Sequence, residues 1–287
     1  MITRRTLLAS ALAAPGADLR FHAMGDGGFR FDTGVVKGEL RKEGKATGLL
    51  PAVHRPSGTV LATSMGLFGV YRVFSDGRRY GNGMWYVENQ AHLAPDGSVV
   101  VRWVAVEDRP FGMEAVYRWV GAGVLDIVVS VTPERDLKGF ETFLACYFGS
   151  GFTEAQGWAR GGKPVTATRA AGDWQMFPRD AAAAAMIRDG RWKLLPHPVD
   201  WAIREEFEGP VGIRRNREAG LSAVVMARRR DCFAVSMPHE TDTHFSTYLS
   251  LFGRDFRAAE TAQAGARLVL VDGKADVGRL YRDYEAG

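Results

Sequence analysis

Apolar and polar residues alternate with a period of two along much of this chain. In "EAVYRWV", Glu114 to Val120, Tyr117 and Trp119 alternate with Val116 and Arg118, which predicts a strand with one covered and one wet face. The same valine-rich, aromatic and β-branched character marks "SVVVRWVAVE" (Ser98 to Glu107) and "VLDIVVSVTP" (Val124 to Pro133). It returns in "VGIRRN", "LSAVVMARRR", "CFAVSMP" and "ARLVLVDG". Turn signals such as "PDG", "GAG" and "VDG" separate the runs at close intervals, and 34 glycines suit many tight turns. A period near 3.6 is rare. "RDAAAAAMIRDG" predicts a helix of two or three turns, with Asp180 as N-cap and Gly190 as stop. "KADVGRLYRDYEAG" predicts a closing amphipathic helix with Val277, Leu280, Tyr281 and Tyr284 on one side.

Many short strands, few helices, no fixed-period repeat and a length of 287 residues predict an all-β fold, a large antiparallel β-sandwich. A concanavalin-like jelly roll is the competing architecture. No low-complexity linker divides the chain, so one domain is expected over residues 18–287, with long decorated loops at 150–210. Residues 1–17, "MITRRTLLASALAAPGA", have the layout of a cleaved export signal. A twin arginine (Arg4, Arg5) precedes a short apolar run and small residues, as in twin-arginine signals. The expected location is periplasmic or secreted, with no permanent membrane anchor, because the run is too short to span a bilayer.

Charge narrows the partners. Loss of Arg4 and Arg5 with the signal takes the formal net charge from +4 to +2, too nearly neutral for a nucleic-acid partner. Arg214, Arg215, Arg217, Arg228, Arg229 and Arg230 cluster in sequence, and are expected on a solvated hairpin face or, at most, a local anionic-sugar subsite. Cys146 and Cys232 lie in apolar runs, where buried free thiols are common, although an exported protein could pair them.

Several phrases together resemble the galactose-mutarotase-type β-supersandwich. They are "ATGLLPAVHRPSGTVLA", "RYGNGMWYVENQAHLAPDGSVVVRW", "DIVVSVTP", "FETFLACYF" and "YLSLFGRDFRAAETAQAGARLVL", covering most of residues 28 to 272. The resemblance implies that fold and carbohydrate handling. The H-x-Y-F-N-L type motif around the mutarotase histidine is absent, and "HFSTYLSLF" at His244 does not match it, so mutarotase activity does not follow.

Candidate chemistry begins with "HETDTH", residues 239 to 244. Its histidines are five apart, whereas a zincin needs H-E-x-x-H with both on one helical face. His239 and His244 fit a loop feeding a sugar site better, and no metal or cofactor is assigned. A strand from Met84 to His92 would put Glu88, Gln90 and His92 on one face, a polar stripe costly to bury without partners. Glu141 stands in an apolar run, where burial would raise its pKa unless an arginine braces it.

Acid–base chemistry on a saccharide or uronic-acid-containing ligand is therefore expected. The catalytic candidates are His92, His239, Tyr80, Tyr248, Glu88 and Glu141. Arg78, Arg79, Trp85, Gln90, His54 and His244 are the candidates for substrate binding. Trp158, Trp174, Trp192 and Trp201, in the irregular middle, would serve either as sugar platforms or as plugs beneath long loops. The reaction classes left open are lyase, glycoside processing and epimerase. The rivals are a non-catalytic carbohydrate-binding or structural protein, and a metal-dependent hydrolase.

Overall fold

A computed structural model describes residues 18–44 and 48–287, so the export signal expected at 1–17 lies outside the described residues. Two large sheets face one another. The first has nine strands in the spatial order Lys163–Thr166, Glu154–Ala159, Phe207–Asn216, Leu221–Ala227, Ala262–Asp272, Val124–Pro133, Phe111–Gly121, Val99–Trp103 and Gln90–Leu93. The second has seven, in the order Ala202–Ile203, Trp174–Pro178, Cys232–Pro238, Ser246–Phe256, Leu137–Tyr147, Gly69–Ser75 and Arg78–Arg79. A smaller sheet of four strands, from His22 to His54, closes one end. All pairings between strands are antiparallel except that of Trp174–Pro178 with Ala202–Ile203.

Alternation decides which side chains enter the sandwich. Tyr117, Ile127 and Val129 of the nine-stranded sheet share one buried core with Leu144, Cys146, Leu249 and Leu251 of the seven-stranded sheet. The layers meet closely at Gly212, where an added Cβ would come within 2.3 Å of Thr247 Cγ2. The four-stranded sheet joins the same core, with the Phe31 ring 4.9 Å from that of Trp119. Both cysteines are buried and free.

The opposite face of each large sheet is covered differently. The helix Val277–Ala286 lays Val277, Tyr281 and Tyr284 on the nine-stranded sheet, against Trp158 and Val211. Over the seven-stranded sheet runs the segment from Arg179 to Ile203, which includes the short helix Ala181–Ile187. Asp180 caps that helix, its Oδ1 accepting from Ala183 N at 2.8 Å, as the sequence predicts. Gly190 stands beyond the helix end in the left-handed region and opens the turn Arg191–Lys193. No helix among the described residues is long and apolar enough to cross a membrane.

Two local expectations change. The strand predicted over Met84–His92 is only Gln90–Leu93; Met84–Tyr86 forms a 3-10 turn, closed by Tyr86 N donating to Gly83 O at 3.0 Å. Trp85 drives this break, because its ring is buried in a stack on Tyr71 at 4.2 Å, which an extended chain would not supply. Arg214 also departs from its sequence neighbours. It is fully buried between the layers, because its position on Phe207–Asn216 points inward while Ile213 faces the C-terminal helix.

One ion pair fastens the covering segment to the sheet. Arg191 Nη1 donates to Glu141 at 3.1 Å and to Gly139 O at 2.9 Å, while its Nη2 reaches Asp189 at 2.8 Å. Glu141 is fully buried, and burial holds its carboxyl above the usual carboxylate range, against the pull of Arg191. Replacing Arg191 by Met is therefore expected to cost about 3–5 kcal/mol at pH 7 by stranding that carboxylate. Because the folded-state pKa is raised, the native state binds more protons than the unfolded state, so this stability returns as pH falls through the folded value. Denaturant unfolding of Arg191→Met at pH 5 and pH 7 checks this: the loss relative to wild type must be smaller at pH 5. Gly212→Ala is expected to cost about 1–3 kcal/mol by overpacking the interlayer contact, measured in the same way.

Candidate functional site

The seven-stranded sheet leaves part of its outer face open. Phe143 and Tyr147 on Leu137–Tyr147, Tyr248 on Ser246–Phe256, and Tyr71 and Arg72 on Gly69–Ser75 form a floor. Trp192, His197 and Trp201 from the covering segment, with Trp174 and His244, form the walls of a cleft of about 340 Å³. The rings interlock. Tyr248 stacks on Phe143 at 4.6 Å, and Trp201 stands edge-on to Trp192 at 5.2 Å and to Trp174 at 5.9 Å. Such a surface presents flat apolar faces to the C–H faces of a ring ligand.

Polar groups are set among these rings. His244 Nδ1 donates to Asp242 Oδ1 at 2.7 Å, and the same oxygen accepts from the His244 backbone N at 2.7 Å. In the neutral imidazole this leaves Nε2 as the unprotonated nitrogen. Trp174 braces the imidazole at 5.2 Å. The hydroxyls of Tyr248 and Tyr147 are 3.3 Å apart. Burial pushes the Tyr248 phenol up to about 12 and raises that of Tyr147 further, so both hydroxyls keep their protons at neutral pH. Arg72, also buried, lies 4.9 Å from the centroid of Tyr71 and 5.2 Å from that of Trp192.

The residues singled out in the sequence are dispersed by the fold. His244 and Tyr248 line the cleft. Glu88, Gln90 and His92 are exposed at the far edge of the nine-stranded sheet. His239 is buried behind the cleft-side loop, its Nδ1 2.9 Å from Thr241 Oγ1 and its Nε2 3.8 Å from Asp173. His54 is buried, its Nδ1 2.8 Å from Ser57 Oγ. Tyr80 packs on Phe111 at 4.9 Å, with Arg78 over its ring, and Glu141 is held by Arg191.

Trp85 and Arg79 act one layer out. Trp85 backs Tyr71, and Arg79 donates to the carbonyls of Gly81, Asn82 and Pro196, tying the wall that carries His197 to the sheet edge. Burial, and Arg72 nearby, push the Arg79 guanidinium down to about 10. Arg72, Tyr147, Tyr71 and His197 escape a sequence reading. Their only trace is an arginine inside "GVYRVFS" and a tyrosine closing "FLACY".

A larger hollow of about 640 Å³ lies beside the C-terminal helix, lined by Arg228, Arg230, Arg254 and Arg267. Its charges are largely matched internally: Arg267 forms a two-point pair with Asp126, and Arg254 pairs with Glu260 at 3.0 Å. The negative pole of the helix ends there as well, which disfavours an anion. Among the described residues, no three His, Cys, Asp or Glu side chains gather as a metal site.

No family model matches the chain, and no curated protein matches it. Solved structures do match. A candidate aldose 1-epimerase from Escherichia coli K12 aligns with a TM-score of 0.50 and 12% identity, over 90% of this chain and 100% of its own. A galactose mutarotase-like protein from Clostridium acetobutylicum aligns at 0.50 and 8% identity, with the same coverage. The α-N-acetylgalactosaminidase NagBb from Bifidobacterium bifidum aligns at 0.54 and 10% identity over 89% of this chain, which spans 38% of that enzyme. At these identities the likeness is one of fold. The chain has the all-β sandwich fold of galactose mutarotase-like proteins.

Proposed function

We propose that this protein binds a saccharide in the Trp174–Trp192–Trp201 cleft and acts on it by proton transfer. The observation that carries the reading is the convergence of His244, the Tyr147–Tyr248 pair and Arg72 on one ring-lined cleft. His244, oriented by Asp242, takes a proton through Nε2. A phenol of the tyrosine pair gives one to the departing or rearranging oxygen, and Arg72 steadies the negative charge that develops between the two transfers. Hydrolysis by two facing carboxylates fits less well, because the described residues lining the cleft include no Asp or Glu. Elimination and epimerisation both need the base and acid that are present. Neutral and uronic-acid oligosaccharides both fall within this class. The fold shared with carbohydrate-processing proteins supports a saccharide ligand, and the "TRRTLLASALAA" segment supports export to the periplasm or beyond.

The test is turnover of a panel of neutral and uronic-acid oligosaccharides, followed by ultraviolet absorbance for unsaturated products and by NMR for inverted centres. His244→Ala is expected to lower kcat by about 10²–10⁴-fold while leaving ligand affinity within a few-fold. Trp201→Ala is expected to weaken binding first. Binding without turnover in the wild type, unchanged in His244→Ala, would make the protein a carbohydrate-binding module and remove the catalytic reading.

A further inference from the structure

Among the described residues, two buried arginines near the cleft form no ion pair. Arg72 is 5% exposed, its Nε has no hydrogen-bond partner among the described residues, and its Nη2 reaches only the Tyr71 hydroxyl, at 3.3 Å. Arg214 is 0% exposed and lies between the sheets, directly behind the strand that carries Tyr248. It donates to Ser246 O at 2.5 Å and to Thr247 Oγ1 at 3.3 Å, both neutral acceptors, and its Nη1 is unpartnered among the described residues. Burial pushes the Arg214 guanidinium down to about 10, opposed by Tyr248 and Asp242. Asp242 itself is committed to His244. Elsewhere the fold does neutralise a buried arginine: Arg191 has both Glu141 and Asp189. Ring faces and carbonyls only partly offset the cost of taking a guanidinium out of water, and an ion pair is the usual completion.

We infer that the ligand of this cleft is an anionic saccharide, whose carboxylate or sulfate pairs directly with Arg72 and is held further by the field of Arg214 behind the floor. The inference rests on the saccharide reading of the cleft and adds its chemical class. Arg72 is the specificity-determining contact, a planar fork suited to two-point binding of an oxyanion. Arg214 touches no ligand. It acts through the strand that holds Tyr248.

Three probes decide the matter by calorimetry: a uronic-acid tetrasaccharide, its carboxyl-reduced neutral counterpart, and a sulfated neutral tetrasaccharide. The wild type is expected to bind at least one acidic probe about 10- to 100-fold more tightly than the neutral one, the range of a charged hydrogen-bonded contact. Which acidic probe binds identifies the group. In Arg72→Met the ratio of acidic to neutral affinity should collapse towards unity, whatever the change in absolute affinity, and Arg72→Lys should restore part of that ratio. Arg214→Met, if its thermal unfolding remains cooperative, should reduce the preference less than Arg72→Met does. Equal wild-type affinity for acidic and neutral probes, or a preference that survives Arg72→Met, overturns the inference. If neutral saccharides bind and turn over without acidic preference, only the anionic assignment falls. If no saccharide binds the wild type, the reading of the cleft falls with it.

Discussion

The site depends on the two-residue period of two paired strands, Leu137–Tyr147 and Ser246–Phe256, at the centre of the seven-stranded sheet. Their register sets Leu144 opposite Leu249 and Phe143 opposite Ser250, so each strand divides its side chains between two environments. Leu144, Cys146, Leu249 and Leu251 are drawn into the sandwich and fix the sheet against its partner. Phe143, Tyr147 and Tyr248 are thereby forced outward, where rings and hydroxyls become the floor of a cleft. A one-residue slip would exchange these two sets, and the core and the site would be lost together. Packing of the core is thus what orients the chemistry.

Buried charge is treated in two ways around that sheet. Glu141 and Arg191 are both buried and paired, and they join the covering segment to the sheet. Arg72 and Arg214, also buried, are met by rings, hydroxyls and a carbonyl instead. Among the described residues Arg191 is thus met by carboxylates, whereas Arg72 and Arg214, like the buried Arg109, are met by neutral groups.

Much of the architecture was legible in the chain. Val124–Pro133 is a strand over the residues its pattern predicts, and the helix Val277–Ala286 buries Val277, Tyr281 and Tyr284, as their spacing implies. The site was less legible. "HETDTH" drew notice for its density of ligand-type residues, yet only its last histidine reaches the cleft. His239 turns inward, because the chain bends sharply there, with Asp242 N bonded to His239 O at 3.0 Å. The Glu88–Gln90–His92 stripe is a polar face costly to bury without partners, and it lies exposed at a sheet edge. Periodicity reports which residues share a face, not whether anything covers that face.

The sequence by itself determined the all-β class, most strand positions, both helices and the divided faces of the strands. These follow from local periodicity, capping and turn chemistry, which act over a few residues. Only the tertiary structure decided that Arg72, Tyr147, His197, Trp201, His244 and Tyr248 meet, since they come from five segments separated by up to 176 positions of chain. It also decided that Arg214, one of six arginines clustered in sequence, is buried while its neighbours are not. The reason is physical: strand pairing and layer packing are long-range interactions, and the partner that each side chain meets is written in another part of the chain.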